Sequence, residues 1–144
     1  MGRFTNKVDR KGRVSVPAPY RQILGQQNGV VLMRSFRADA IEGFTRDLMS
    51  RLSASVQNPF GEVDANAAFL FGEAIELGFD SEGRVLLPEH LRAFAKIDDA
   101  AAFLGCGNYF QVWEPKACDA FCEARFQRMR AGQAKIDVSL GGGR

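Results

Sequence analysis

One stretch of this chain is written twice. Val8-Asp9-Arg10-Lys11-Gly12-Arg13-Val14-Ser15-Val16-Pro17-Ala18-Pro19-Tyr20-Arg21 returns 71 positions later as Phe79-Asp80-Ser81-Glu82-Gly83-Arg84-Val85-Leu86-Leu87-Pro88-Glu89-His90-Leu91-Arg92, with Asp, Gly, Arg, Val, Pro and Arg at identical spacing. A doubled segment sets the architecture before any propensity is consulted, because each copy is one structural unit and adjacent units bury a common core. A unit of roughly 60 residues is marginal alone, so the two are expected to complete each other.

Each copy reads as a tight turn, a short strand and a short helix. Asp at the first position and Gly at the fourth, as in Asp9 with Gly12 and Asp80 with Gly83, are what a type I turn wants: a carboxylate that accepts backbone N–H bonds, then a residue free to take positive φ. Strands follow at 13–16 and 84–87. Pro17 and Pro88 then open helices at the one place where a missing N–H costs nothing. Tyr20, Ile23 and Leu24, and likewise Leu91, Phe94 and Ala95, recur at i, i+3 and i+4, so each helix carries one apolar stripe.

Taken in order, 4–8 alternates weakly and is expected to form the first arm of a hairpin whose second arm is 13–16. Gly25-Gln26-Gln27-Asn28-Gly29 ends the helix. Val30-Val31-Leu32-Met33 reads as a buried strand, 34–39 as a turn, and 40–44 as a returning strand. Thr45 is placed to cap a helix over 46–56. Asn58-Pro59-Phe60-Gly61 breaks it, a second helix covers 62–71, and 72–79 supplies the first arm of the second hairpin. The strands recur at 101–104 and, after a turn two residues shorter, at 109–113. Pro115 opens a closing helix through about 131, and 132–144 reads as a flexible tail. The domain expectation is therefore a first unit at 1–56, a helical connector at 57–71, a second unit at 72–131 and the tail. Phe69, Phe71, Phe103, Phe110 and Trp113 are assigned to the core.

The formal net charge of +2 conceals a segregation. Residues 1–37 hold Arg3, Lys7, Arg10, Lys11, Arg13, Arg21, Arg34 and Arg37 against Asp9 alone, a balance of +7, and the remainder sums to −5. Such asymmetry points to a polyanion partner for the first unit. Lys11 and Arg10 at the turn's tip are candidate base readers, Arg13 a base or phosphate contact, and Arg3 and Lys7 backbone contacts beside them. Arg13 has a second role open to it, tying the turn by pairing with Asp9. For its repeat Arg84 the structural role is favoured, and Arg21 and Arg92 face the same pair of readings. Where the first copy has Arg10-Lys11 the second has Ser81-Glu82, which would repel phosphate, so the second unit reads as scaffold.

Other chemistries find little purchase. Cys106, Cys118 and Cys122 form no Cys-x-x-Cys pair and have only His90 to complete a metal site, so reduced, buried thiols are expected and no metal. His90 reads as a surface helix residue, since no nucleophile motif accompanies it. No phosphate loop or dinucleotide fingerprint is present, and neither catalysis nor a cofactor is expected. No apolar run approaches the ~20 residues of a membrane span, and the start lacks a signal-peptide core, which predicts a cytoplasmic protein.

The paired Asp-x-x-x-Arg signatures, inside Asp-x-x-Gly-Arg-hydrophobic-x-hydrophobic-Pro-x-x-x-Arg, resemble the MraZ family of bacterial transcriptional regulators, built from two tandem AbrB-like units. The resemblance covers nearly the whole chain. It implies an α+β fold in which two swapped-hairpin units interleave into one pseudo-two-fold barrel with flanking helices. It also implies a homo-oligomeric ring on the nucleoid, presenting several copies of the basic loop to double-stranded DNA. The implied target is a set of repeated G-containing boxes upstream of the regulator's own division and cell-wall operon, with autorepression as the outcome. The segment before Asp9 is slightly shorter than the family's usual opening, and Gly43 sits where a strand side chain is expected, which points to a bulge. A ring scaffold binding an acidic protein partner, and an AbrB-type antitoxin, are the rival readings; the latter usually carries one such unit, not two.

Overall fold

The structure is a computed structural model that describes residues 2–25, 28–56 and 65–142. Among these the order is β1 (Arg3–Lys7), β2 (Arg13–Ser15), α1 (Ala18–Ile23), β3 (Gly29–Arg34), β4 (Ile41–Phe44), α2 (Arg46–Val56), α3 (Ala65–Glu73), β5 (Ile75–Gly78), β6 (Arg84–Leu86), α4 (Glu89–Ala95), β7 (Ala100–Gly105), β8 (Phe110–Trp113) and α5 (Pro115–Gly142). The repeated segments give the same run of turn, strand and helix. The Asn58-Pro59 break and the start of the predicted connector helix lie outside the described residues.

The units are interleaved by exchange of their first arms. β1 of the first repeat pairs with β7 of the second, from Arg3↔Leu104 to Lys7↔Ala100, and β5 of the second pairs with β3 of the first. The result is a six-stranded sheet in the order β1-β7-β8-β4-β3-β5, beside a two-stranded sheet of β2 and β6. This modifies the hairpin expectation, because no backbone ladder joins β1 to β2. Asp9 N–H donates to the Arg13 carbonyl at 3.0 Å, and beyond that bond the arms diverge, with the Asn6 side chain spanning them to the Ser15 carbonyl at 2.7 Å. Divergence lets Val14 and Val85 meet inside the core, each nearly inaccessible to solvent.

Positions that correspond in the two repeats face each other along a pseudo-two-fold axis. Val14 pairs with Val85 on one side of the molecule, and Glu42 with Gln111 on the other. Identical residues at the second pair would set two carboxylates opposite each other, which destabilises a sheet. Here the Gln111 amide donates to Glu42 Oε2 at 3.1 Å.

The main core lies between the sheets and the helices α1 and α4. Tyr20, fully buried, stacks on Phe110 with ring centres 5.5 Å apart and planes 8° from parallel, and its hydroxyl donates to the Phe103 carbonyl at 3.2 Å. The opposite face of the large sheet is covered in halves. Met49 of α2 and Leu70 of α3 pack on Val31, Met33 and Phe44, while Cys118 of α5 packs with Ala40, Ala102 and Trp113. Thr45 caps α2 through its hydroxyl, which accepts from Leu48 N–H at 3.0 Å.

Three local expectations are corrected. Phe103, Phe110 and Trp113 are core residues, but Phe69 and Phe71 are half exposed. They flank Leu70, which faces inward, and a rotation of 100° per residue turns both neighbours outward. Gly43 makes no bulge, for β4 and β8 stay in continuous register through Gly43↔Phe110. The glycine leaves room for the Phe110 ring, whose Cζ would lie 2.5 Å from any Cβ at position 43. Finally, α5 runs to Gly142, past the end predicted near 131. No proline interrupts 116–142, and the isolated Gly132 does not stop a helix on its own.

Candidate nucleic-acid interface

Each repeat's Asp organises its own turn. Asp9 Oδ1 accepts from the backbone N–H of Lys11 at 3.0 Å and of Arg13 at 2.8 Å, while Oδ2 accepts from Arg13 Nε at 2.7 Å. Gly12 N–H closes the turn onto the Asp9 carbonyl at 3.0 Å, and Gly12 sits at φ 91°, a conformation that side chains oppose. Asp80 repeats the pattern, accepting from the N–H of Glu82 and of Arg84 at 2.9 Å each and from Arg84 Nε at 2.8 Å. Both carboxyls are held below the ordinary aspartate range, first by the backbone N–H of Arg13 and of Arg84 respectively.

These bonds divide the predicted cations by occupation. Arg13 is engaged by Asp9, and Arg84 by Asp80, with Glu82 at 3.4 Å and Asp9 at 3.9 Å from its guanidinium. The two turns therefore adjoin. Arg21 and Arg92 do not stand free either. Arg21 Nη1 lies against Gly83 in the other repeat's turn, and Arg92 lies against Gly12 while donating to the Leu87 carbonyl at 3.2 Å. Arg3 pairs with Asp119 of α5 at 3.2 Å, its guanidinium beside the Cys118 and Cys122 thiols. Arg34 pairs with Glu73, and Arg37 with Glu42.

What remains of the basic segment is concentrated. Arg10 and Lys11 form the exposed tip of the first turn and Lys7 the exposed end of β1, and none has an ion-pair partner among the described residues. The structure thus places Lys7 at the end of β1 and Arg10 and Lys11 on the turn that follows it, and sets Arg3 at the far end of β1. The presenting element is a carboxylate-locked turn, not a ladder-paired ribbon. Cross-repeat contacts of Arg92 and Leu87 with Gly12 were beyond sequence reasoning; the equal spacing of Arg21 and Arg92 was the one signal that could have suggested them.

The remaining candidates are placed as follows. His90 is an exposed residue of α4. Burial pushes the Cys118 thiol up to about 11, in contact with Cys122, and pushes Cys106 up as well. All three cysteines are free thiols, Cys118 buried and the others half-buried. Among the described residues no group of three or more His, Cys, Asp or Glu side chains could hold a metal ion, and no helix is long and apolar enough to cross a membrane.

Comparison with known proteins bears on this interleaved, doubled architecture. The chain is 42% identical over 121 residues to "Transcriptional regulator MraZ" of Rickettsia canadensis (strain McKiel), covering 81% of each chain. It belongs to the MraZ family. Similar proteins of the same name occur in Rickettsia felis (strain ATCC VR-1525 / URRWXCal2), 42% identical over 81% of each chain, and in Rickettsia peacockii (strain Rustic), 40% identical over 86% of this chain and 87% of the relative. The family model described as "MraZ protein, putative antitoxin-like" matches residues 70–137. That match falls on the second repeat, so MraZ membership by this model rests on the acidic copy and not on the one that carries the free cations.

Proposed function

We propose that this chain is a DNA-binding transcriptional regulator that contacts duplex DNA through the turn at 9–13 of its first repeat. The observation that carries the proposal is Arg10 and Lys11, exposed and without ion-pair partners among the described residues, on a turn whose Asp9 carboxylate and Gly12 carbonyl are already bonded. An immobilised loop loses little entropy on contact, and two adjacent cations suit guanine O6 and N7 or neighbouring phosphates. Lys7 extends the same strip along the backbone. Arg13 acts by locking the turn through Asp9, and Arg3 contributes through its tie to α5 instead of through DNA. The second turn, with Ser81-Glu82 at its tip, serves as scaffold.

One tip covers few base pairs and binds weakly. A ring of copies presenting many tips to tandem short boxes gains affinity through effective concentration, which suits an autorepressor acting on the region upstream of its own division and cell-wall operon while bound to the nucleoid. The relatives' name, transcriptional regulator, supports the regulatory part of this reading.

The test is salt-titrated binding of the full chain to a duplex carrying its own upstream region, beside a scrambled duplex of equal composition, with Lys11→Ala in parallel. The proposal expects preference for the native duplex and loss of that preference in the variant. Equal binding to both duplexes, or to neither, would pass the basic turn to an acidic protein partner.

A further inference from the structure

The turn that carries Arg10 and Lys11 is held in place from the other repeat. Leu87 N–H donates to the Gly12 carbonyl at 2.9 Å, and the Arg92 guanidinium covers the open side of Gly12, where an added Cβ would fall 3.0 Å from Arg92 Cζ and Nε. Arg92 Nε donates in turn to the Leu87 carbonyl at 3.2 Å, so Gly12, Leu87 and Arg92 form one connected set. Arg84 adds its approach to Asp9 at 3.9 Å. The arrangement recurs pseudo-symmetrically beneath the acidic turn: Val16 N–H donates to the Gly83 carbonyl at 3.4 Å, and Arg21 Nη1 lies 2.6 Å from where a Cβ on Gly83 would stand.

We propose that Arg92 is a positioning residue for DNA reading, fixing the presentation of Arg10 and Lys11 from the second repeat. The inference rests on the reading of the 9–13 turn as the DNA-contacting element. Gly12 holds φ 91° with its N–H on the Asp9 carbonyl and its own carbonyl accepting from Leu87 N–H, and Arg10 and Lys11 directly precede it, so what fixes Gly12 also fixes the tip. A planar guanidinium lying on that glycine, itself oriented by the Leu87 carbonyl, adds to this restraint from the second repeat. Lysine would keep the charge but not the plane. The second repeat then does more than complete the core, since it sets the geometry of the first repeat's tip.

Pseudo-symmetry provides the control, because Arg21→Ala makes the same deletion beneath the acidic turn. The experiment measures, for the full-length chain, Arg92→Ala, Arg92→Lys, Arg21→Ala and Lys11→Ala, the binding to the upstream duplex and to its scrambled counterpart across a salt series, together with thermal midpoints. Arg92→Ala is expected to lose about tenfold of the preference for the native duplex, the worth of one oriented hydrogen bond. The slope of log affinity against log salt should stay unchanged, since no phosphate contact is removed. Arg92→Lys should fail to restore the preference, and Arg21→Ala should keep it at a similar thermal midpoint to Arg92→Ala.

A salt slope smaller by about 0.9 in Arg92→Ala, restored by lysine, would make Arg92 a phosphate contact and overturn the proposal. Wild-type preference in Arg92→Ala, or equal loss in Arg21→Ala, would overturn it too. If Arg92→Ala does not fold, Arg92→Lys decides: full preference in a normally melting chain refutes the positioning role. Failure of the underlying reading looks different, with Lys11→Ala binding like wild type or the wild type showing no preference, and either result removes this inference as well.

Discussion

Gly43→Ala tests the seam between the two repeats. β4 and β8 are the only described strands of the large sheet that join the middle of one repeat to the middle of the other, and Gly43 faces Phe110 across that seam. A methyl at position 43 would lie 2.5 Å from Phe110 Cζ, 2.7 Å from Cε2 and 3.1 Å from Cε1, against a ring that is almost fully buried and stacked on Tyr20. Neither ring can swing away without disturbing the other. The substitution belongs at the upper end of overpacking costs, about 2–3 kcal/mol. For a chain of this size that corresponds to a fall in thermal midpoint of roughly 8 °C. Phe110→Leu shortens the offending side chain and leaves space for the methyl. The two changes together should cost about 1 kcal/mol less than the sum of the single changes in a denaturant-unfolding double-mutant cycle. A midpoint for Gly43→Ala within 1 °C of wild type, or strict additivity with Phe110→Leu, would refute the close β4–β8 approach.

Other consequences follow from the paired elements. Gln111→Glu would set a second carboxylate opposite Glu42 on the pseudo-two-fold axis and should lower stability by about 2 kcal/mol in urea unfolding, whereas a change under 0.5 kcal/mol would show that the facing pair is not close. Asp9 and Asp80 have depressed carboxyl pKa values, so their contribution is complete above the unfolded-state value near 4 and is lost as pH falls through the lower folded values. Amide chemical shifts of Lys11 and Arg13 should therefore report an acid transition below about pH 4, and those of Glu82 and Arg84 another. Asp80→Asn should abolish only the second, and transitions at the unperturbed value would contradict the hydrogen-bonded turns. Thr45→Ala removes the cap of α2 and should cost about 1 kcal/mol in thermal unfolding, with no effect on DNA preference.

Local chemistry was legible and long-range partnership was not. The repeat, the two Asp-to-Gly turns, the Thr45 cap and the bounds of α2 follow from residues a few positions apart, where steric and hydrogen-bonding rules act directly. The partner of β1 depends on a strand about 100 residues away, and the weak alternation of 4–8 carries no record of it. Phe69 and Phe71 have the composition of core residues, yet Leu70 between them takes the inward face, and helical rotation turns its two neighbours outward. Charge shows the same limit. Residues 1–37 look uniformly basic as a string, but Arg34 and Arg3 find Glu73 and Asp119 only after folding, and the surplus contracts to Lys7, Arg10 and Lys11 with Arg21 against the second turn.

The central claim is that the Asp9-locked turn meets DNA through Arg10 and Lys11, which have no ion-pair partner among the described residues. The most direct measurement replaces that tip by the chain's own second version, Arg10→Ser with Lys11→Glu, and follows binding to the upstream duplex across a salt series alongside thermal unfolding. The account predicts an unchanged melting midpoint with loss of preference for the native duplex and a much smaller salt slope. Wild-type affinity, preference and slope in the substituted chain would contradict it.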